Sequence, residues 1–256
     1  MTDNTLFELI GFIIILFSAA LMLGLAALRR KSPPAFREIP AFTRLRQAVG
    51  RVVEDGTRLH VSLGRGALIT PQSASAMAGL TLLRRLAELT SAGDQPPIAT
   101  SGDAALTILS QDTLQTASQA SAQGVYDPTS GRLTGLTPFS YVAGAIPAIR
   151  DENISSNVLM GNFGVEAALL AEAAERANTF TLAASDNLAA QAVLYATSQE
   201  PLIGEELYAA GAYMDAGPVH TASLTVQDIL RWLIIVAILV GALIQFIQFI
   251  ATAGLQ

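Results

Sequence analysis

Cysteine is absent from this 256-residue chain, which removes disulfides, thiolate nucleophiles and thiolate-held zinc or iron–sulfur centres. Lysine occurs once, at Lys31, so the chain has neither the lysine of a phosphate-binding P-loop nor that of Ser–Lys chemistry. No Gly-x-Ser-x-Gly elbow is present. Histidine is scarce too. His60 alternates with Leu59, Val61 and Leu63 and is read as a packed strand residue with a hydrogen-bond partner, while His220 has no second ligand at metal spacing. No metal site and no cofactor are therefore expected. Charge is also sparse, at 14 % of residues against roughly 25 % in soluble proteins. The net charge of -6 excludes a general nucleic-acid binder, which needs a concentrated basic surface.

What is plentiful is apolar sequence, and much of it is concentrated in two places. From Leu9 to Leu28 no residue is charged, and a helix of that length covers the ~30 Å hydrocarbon core of a bilayer. A second uncharged stretch runs from Trp232 to Gln256. Thr225 and Asp228 form a helix-capping pattern ahead of it, which predicts a second span over 226–252. A cleaved signal peptide carries its positive charge before the apolar core. Here Arg29, Arg30 and Lys31 follow the core, as an uncleaved anchor requires. Arg231 and Trp232 mark the corresponding membrane interface of the second span. By the positive-inside rule the tails 1–8 and 253–256 are expected outside, and the intervening chain in the cytoplasm of a two-pass inner-membrane protein. Gln245 and Gln248 share one face of the second span, which suits either a helix–helix contact or a reach to headgroups.

Residues 29–58 read as a basic juxtamembrane tether with Ser32-Pro33-Pro34, followed by an amphipathic helix striped by Phe42, Leu45, Val49, Val52 and Val53. Such a helix can lie on anionic lipid or open the folded domain. Over 59–222 extended and helical periods alternate. Strands are expected at 59–63, 97–100, 133–136, 157–160 and 180–184. Helices are expected from Pro71, Asp103, Pro138, Val165 and Asp186, with a further small-residue helix at 204–213. Thr70-Pro71 and Thr137-Pro138 look like helix starts. This pattern predicts an α/β, Rossmann-like three-layer domain with a mostly parallel sheet of about five strands, flanked by two transmembrane helices.

Three stretches, LHVSLGRGALITPQSASAMAGL at 59–80, NVLMGNFGVEAALLAEAA at 157–174 and LYATSQEPLIGEELYAAGAYM at 194–214, resemble a family of bacterial membrane proteins of the Chloroflexota type that is defined only as a domain of unknown function. That resemblance implies the architecture and assigns no activity.

In an open parallel sheet ligands bind beyond the carboxyl ends of the strands. The residues expected there are Gly64, Arg65 and Gly66; Ser101, Gly102 and Asp103; Gly161, Asn162, Gly164 and Glu166; and Asp186 and Asn187. Glycine also serves tight turns, and Asp, Asn and Ser cap helices, so the same residues have a purely structural reading. Gly64-Arg65-Gly66 is half of a dinucleotide fingerprint, with Ile69 where the third glycine belongs. The lack of a catalytic set leads to an expectation of a non-enzymatic, membrane-anchored assembly or scaffold protein, with the bilayer and further copies of itself or other membrane proteins as partners. A sensor of a nucleotide or small anion at the crest is the second reading. A hydrolase or transferase using Asp103, Glu166 or Asp186 is the third.

Overall fold

The computed structural model describes residues 2–28, 36–70, 73–91, 93–120 and 126–253. Arg29, Arg30, Lys31, the Ser32-Pro33-Pro34 tether, Pro71 and 254–256 lie outside the described residues. The chain divides into two compact units, the terminal helices and residues 36–216.

In the first unit α1 (Thr2–Leu28) and α9 (Pro218–Ala253) lie against each other. Within them Glu8–Leu28 and Pro218–Gln248 are long and apolar enough to cross a bilayer. Ile13, Ile15, Leu23, Ile234, Ile238 and Leu239 are all more than half exposed, so the apolar surface runs round the helices instead of forming one buried stripe. Helix α9 starts at Pro218, earlier than the Thr225–Asp228 pattern predicts. Proline suits a first helical position, and Thr225 Oγ1 donates back to Thr221 O inside the helix instead of capping it. Helix α1 likewise reaches back to Thr2, taking in most of the expected 1–8 tail.

The second unit is a three-layer α/β domain. Its elements are α2 (Pro40–Glu54), β1 (Arg58–Gly64), α3 (Ser73–Thr90), β2 (Ile98–Ser101), α4 (Ala104–Ala120), β3 (Gly131–Leu133), α5 (Pro138–Asp151), β4 (Ile154–Asn162), α6 (Ala167–Arg176), β5 (Phe180–Ser185), α7 (Leu188–Thr197), β6 (Glu200–Leu202) and α8 (Glu206–Tyr213). All six strands are parallel, in the order β3-β2-β1-β4-β5-β6. That is the Rossmann order, in which the chain direction across the sheet reverses between β1 and β4.

The sixth strand goes beyond the expected five. Glu200-Pro201-Leu202 is short and interrupted by proline, a residue the sheet accepts at its edge, where one side of the strand needs no donor. Strand β3 falls two residues ahead of its expected position.

Side-chain alternation sorts the core. Leu59, Val61, Leu63, Val158, Met160 and Leu182 pack under α2, α3, α4 and α8, while Leu159 and Ala183 pack under α5, α6 and α7. Phe42, Leu45, Val49 and Val52 are buried in the first cluster, so α2 is the opening helix of the folded domain. The small-residue face of α8 is buried as well, at Ala209, Ala210, Gly211 and Ala212.

Candidate functional site

A parallel sheet puts every strand's carboxyl end on one edge, here termed the crest, and the reversal between β1 and β4 leaves a crevice at its centre. The structure brings the expected residues to that edge. Gly64 ends β1 with φ +71°, and a Cβ on it would lie 2.2 Å from Asn162 O, so only glycine lets the two central strands finish this close together. Arg65 N then donates to Asn162 O at 2.9 Å, and Gly102 N to Gly64 O at 2.8 Å. Gly66 is buried in the loop that follows.

The crevice is occupied by protein. Arg65 Nη2 donates to Glu166 Oε1 at 3.2 Å, and Glu166, 6 % exposed, also accepts from Gly164 N at 3.0 Å. Arg65 Nε is buried and has no partner. Beside this pair, Asp186 accepts from Asn162 Nδ2 and from Ser75 Oγ, both at 2.7 Å. Gly161 pairs with Ser185 on β5. The Ser185 hydroxyl takes Phe163 N and donates to Phe163 O, tying the loop after β4 to β5.

Helix ends account for most of the rest. Asp103 accepts from Leu106 N at 2.9 Å in the first turn of α4, and Ser101 Oγ bonds Thr107 Oγ1 at 2.5 Å. Asn187 caps α7 through Ala189 N and Ala190 N. Thr137 closes a capping box with Ser140 ahead of Pro138, as its sequence implies, whereas Thr70 Oγ1 turns back to Ala67 O. The polar crest residues thus serve one another and the adjacent helix starts.

Below the crest lies a buried polar layer that motif reading did not assemble. His60 Nδ1 pairs with Asn157 Oδ1 at 2.7 Å and Nε2 with Thr100 Oγ1 at 2.9 Å, with His60 fully buried. An Nδ1–H tautomer satisfies both contacts. Burial is the main cause of a His60 pKa lowered from 6.5 to about 4. Tyr141, from the first turn of α5, contributes the next bonds. Its hydroxyl meets Ser62 Oγ at 2.5 Å and accepts from Gly64 N at 3.2 Å, and burial raises its pKa. The available signal is the pair His60 and Ser62, polar at alternate positions between the apolar Leu59, Val61 and Leu63. Two polar groups on one buried pleat face require partners, which the flanking strands supply to His60 and the covering helix to Ser62.

At the opposite edge Glu152 takes both Arg58 and Arg132, and the hydrogen bond from Arg132 lowers its pKa. A cavity of about 200 Å³ also opens there, between the carboxyl-terminal halves of α3 and α4. Among the described residues no group of three or more His, Asp or Glu is placed to hold a metal ion. In the terminal unit Arg231 lies 3.6 Å from Asp228, and Trp232, Gln245 and Gln248 are exposed along α9.

A family model described as a domain of unknown function (DUF6754) matches residues 3–255. The chain belongs to that family. No curated protein and no solved structure matches it. The DUF6754 match covers both terminal helices together with the α/β domain, so family and architecture coincide over nearly the whole chain. The tight contact that a third glycine makes in a dinucleotide fingerprint is made in this DUF6754 chain at Gly79 of α3. A Cβ there would lie 2.4 Å from Met160 O.

Proposed function

We propose that this protein is a membrane-anchored, non-enzymatic assembly protein, held by two spans in a bacterial inner membrane with both termini outside and the Rossmann-like domain in the cytoplasm, where it forms homo-oligomers. The observation that carries this reading is the self-satisfied crest. Glu166 is committed to Arg65 and Gly164 N, Asp186 to Ser75 and Asn162, and Asp103 to the first turn of α4. A hydrolase needs a carboxylate free to reach substrate, and these three each hold backbone or side-chain partners. Orientation rests on the basic residues after the first apolar run and before the second. Light scattering on the full chain in detergent should give a mass above the 26.8 kDa monomer, and a strict monomer at every concentration refutes assembly. Membrane-impermeant maleimide on single-cysteine variants of the cysteine-free chain should label the domain from the cytoplasmic side alone, and labelling from outside refutes the orientation.

One observation favours the sensor reading as a second function. Arg65 Nε is a buried donor without an acceptor at the sheet's reversal point, where an anionic group would complete it. A thermal-shift screen of nucleotides and phosphorylated metabolites should show stabilisation that is lost in Arg65→Met, and an absence of any shift removes this reading.

A further inference from the structure

The large apolar side chains that the domain leaves in solvent are not scattered. Among its described residues most gather at the crest, on the ends of the strands, the loops leaving them and the first turns of the helices that follow, whereas Met77 and Ile108, beyond the first turns of α3 and α4, and Tyr195, toward the end of α7, stand apart. Ile69, in the loop after β1, is 98 % exposed, and Leu188, at the first position of α7, is 81 % exposed. Leu136 and Phe139 flank the start of α5, Val165 follows β4 and Ile203 follows β6. Strand order therefore lays these six along the sheet edge as a row, with Leu136 and Phe139 at one end, Ile69 and Val165 in the centre, and Leu188 and Ile203 toward the other end. At a strand spacing of about 4.8 Å the row is about 24 Å long.

We infer that this apolar row is a docking surface for the crest of a second copy of the same chain, the two rows lying antiparallel across a two-fold axis. This rests on the assembly reading above and gives it a contact. Area supports it. Together the six residues leave on the order of 700 Å² in solvent, close to the ~800 Å² each partner contributes to a standard interface.

Charge decides between a second copy and a lipid surface. Loops that enter anionic lipid flank their apolar tips with free lysine and arginine. Here Arg65, at the centre of the row, is held by Glu166, and Arg37, beside the start of α8, is held by Glu206 at 2.7 Å. Asp103, Glu166 and Asp186 are likewise turned onto protein donors. An apolar row whose neighbouring charges are already paired can meet a copy of itself without burying unpaired charge.

Symmetry supplies the test. The axis of an antiparallel row falls between β1 and β4, so Ile69 faces Val165 of the second copy and lies about one strand spacing, ~4.8 Å along the row, from that copy's Ile69. In the full-length, otherwise cysteine-free chain, Ile69→Cys treated with a copper(II) oxidant should give mostly disulfide-linked dimer, several-fold more than Tyr195→Cys under the same conditions. Ile69→Asp, exposed and so harmless to folding, should weaken association at least tenfold. If the protein is oligomeric but Ile69→Cys links no better than Tyr195→Cys and Ile69→Asp associates normally, the crest contact is overturned while assembly through other surfaces stands. A monomer overturns both. Protection of the Ile69→Cys thiol by liposomes, without dimer, overturns the proposal in favour of lipid.

Discussion

Acidification should loosen this domain through one residue. His60 is fully buried between Asn157 and Thr100, and burial outweighs the hydrogen bond to Asn157 that favours its charged form. Arg132 adds to the lowering and Glu152 opposes it. Because the folded pKa is about 4 and the unfolded value 6.5, the unfolded chain binds more protons throughout that interval. Stability is therefore full above pH 6.5 and falls as pH drops toward 4. The total is about 3 kcal/mol, of which about 2 kcal/mol is lost between pH 6.5 and 4.5, before most carboxylates begin to protonate. With a urea slope of ~2 kcal/mol/M, the unfolding midpoint of the full chain in detergent, followed by circular dichroism, should drop by about 1 M over that range. His60→Gln lowers the baseline by disturbing Asn157 and Thr100, but it should flatten the slope. A variant that keeps the wild-type slope refutes the assignment. So does a carbon-13 spectrum of the two histidines in which both titrate above pH 6.

Three substitutions test the crest. Gly64→Ala must place a Cβ 2.2 Å from a backbone carbonyl at positive φ, and should cost at least about 3 kcal/mol in unfolding free energy; a loss below 1 kcal/mol shows that β1 and β4 do not close as described. Glu166→Gln leaves the Arg65 guanidinium partly buried without its counter-charge and should cost about 2 kcal/mol, most of it recovered in the double variant with Arg65→Met. Additive losses in that cycle contradict the pairing. Tyr141→Phe strips the hydroxyl from Ser62 and Gly64 N, and a loss of about 1–3 kcal/mol in the same melts is expected.

Local pattern carried the architecture further than the site. Leu59-His60-Val61-Ser62-Leu63 shows its extended period directly, and Thr137-Pro138 announces α5 because both its cap and its first helical residue are local. Glu200-Pro201-Leu202 has no such period. It is a strand because the β5 edge holds it, a condition that sequence spacing does not express. The onset of α9 lies ahead of the predicted one for the converse reason, since a good capping pattern at Thr225 is overridden when the helix can continue back to Pro218. At the crest, residue types are legible in the sequence and their partners are not. Arg65 and Glu166 stand 101 positions apart, as Ser75 and Asp186 stand 111 apart, and nothing in either neighbourhood marks its partner. Neither Ile69 nor Leu188 is marked by its neighbours as an exposed apolar side chain, because a lone apolar residue in a loop or at a helix start has no periodicity to report.

Strand order and side-chain chemistry at the crest point in opposite directions, and the energetics bear on the two proposed readings. A β3-β2-β1-β4-β5-β6 sheet opens a crevice between β1 and β4, and a nucleotide-binding protein leaves that crevice lined with unused donors. Here the donors are largely used. Gly102 N is taken by Gly64 O, Gly164 N by Glu166, Phe163 N by Ser185 and Asn162 Nδ2 by Asp186. A ligand seeking these groups has to break charged or buried hydrogen bonds worth ~1–3 kcal/mol each before making its own. Arg65 Nε is the exception, a single buried donor with nothing to displace. A surface that closes over Ile69, Val165 and Leu188 meets no such barrier, because it removes apolar area from water and leaves every inward-facing bond intact. The polarity of the crest is thus inverted relative to a ligand cleft, with polar groups turned in and apolar ones turned out. That arrangement supports the proposed association at the crest over the proposed capture of a polar ligand within it.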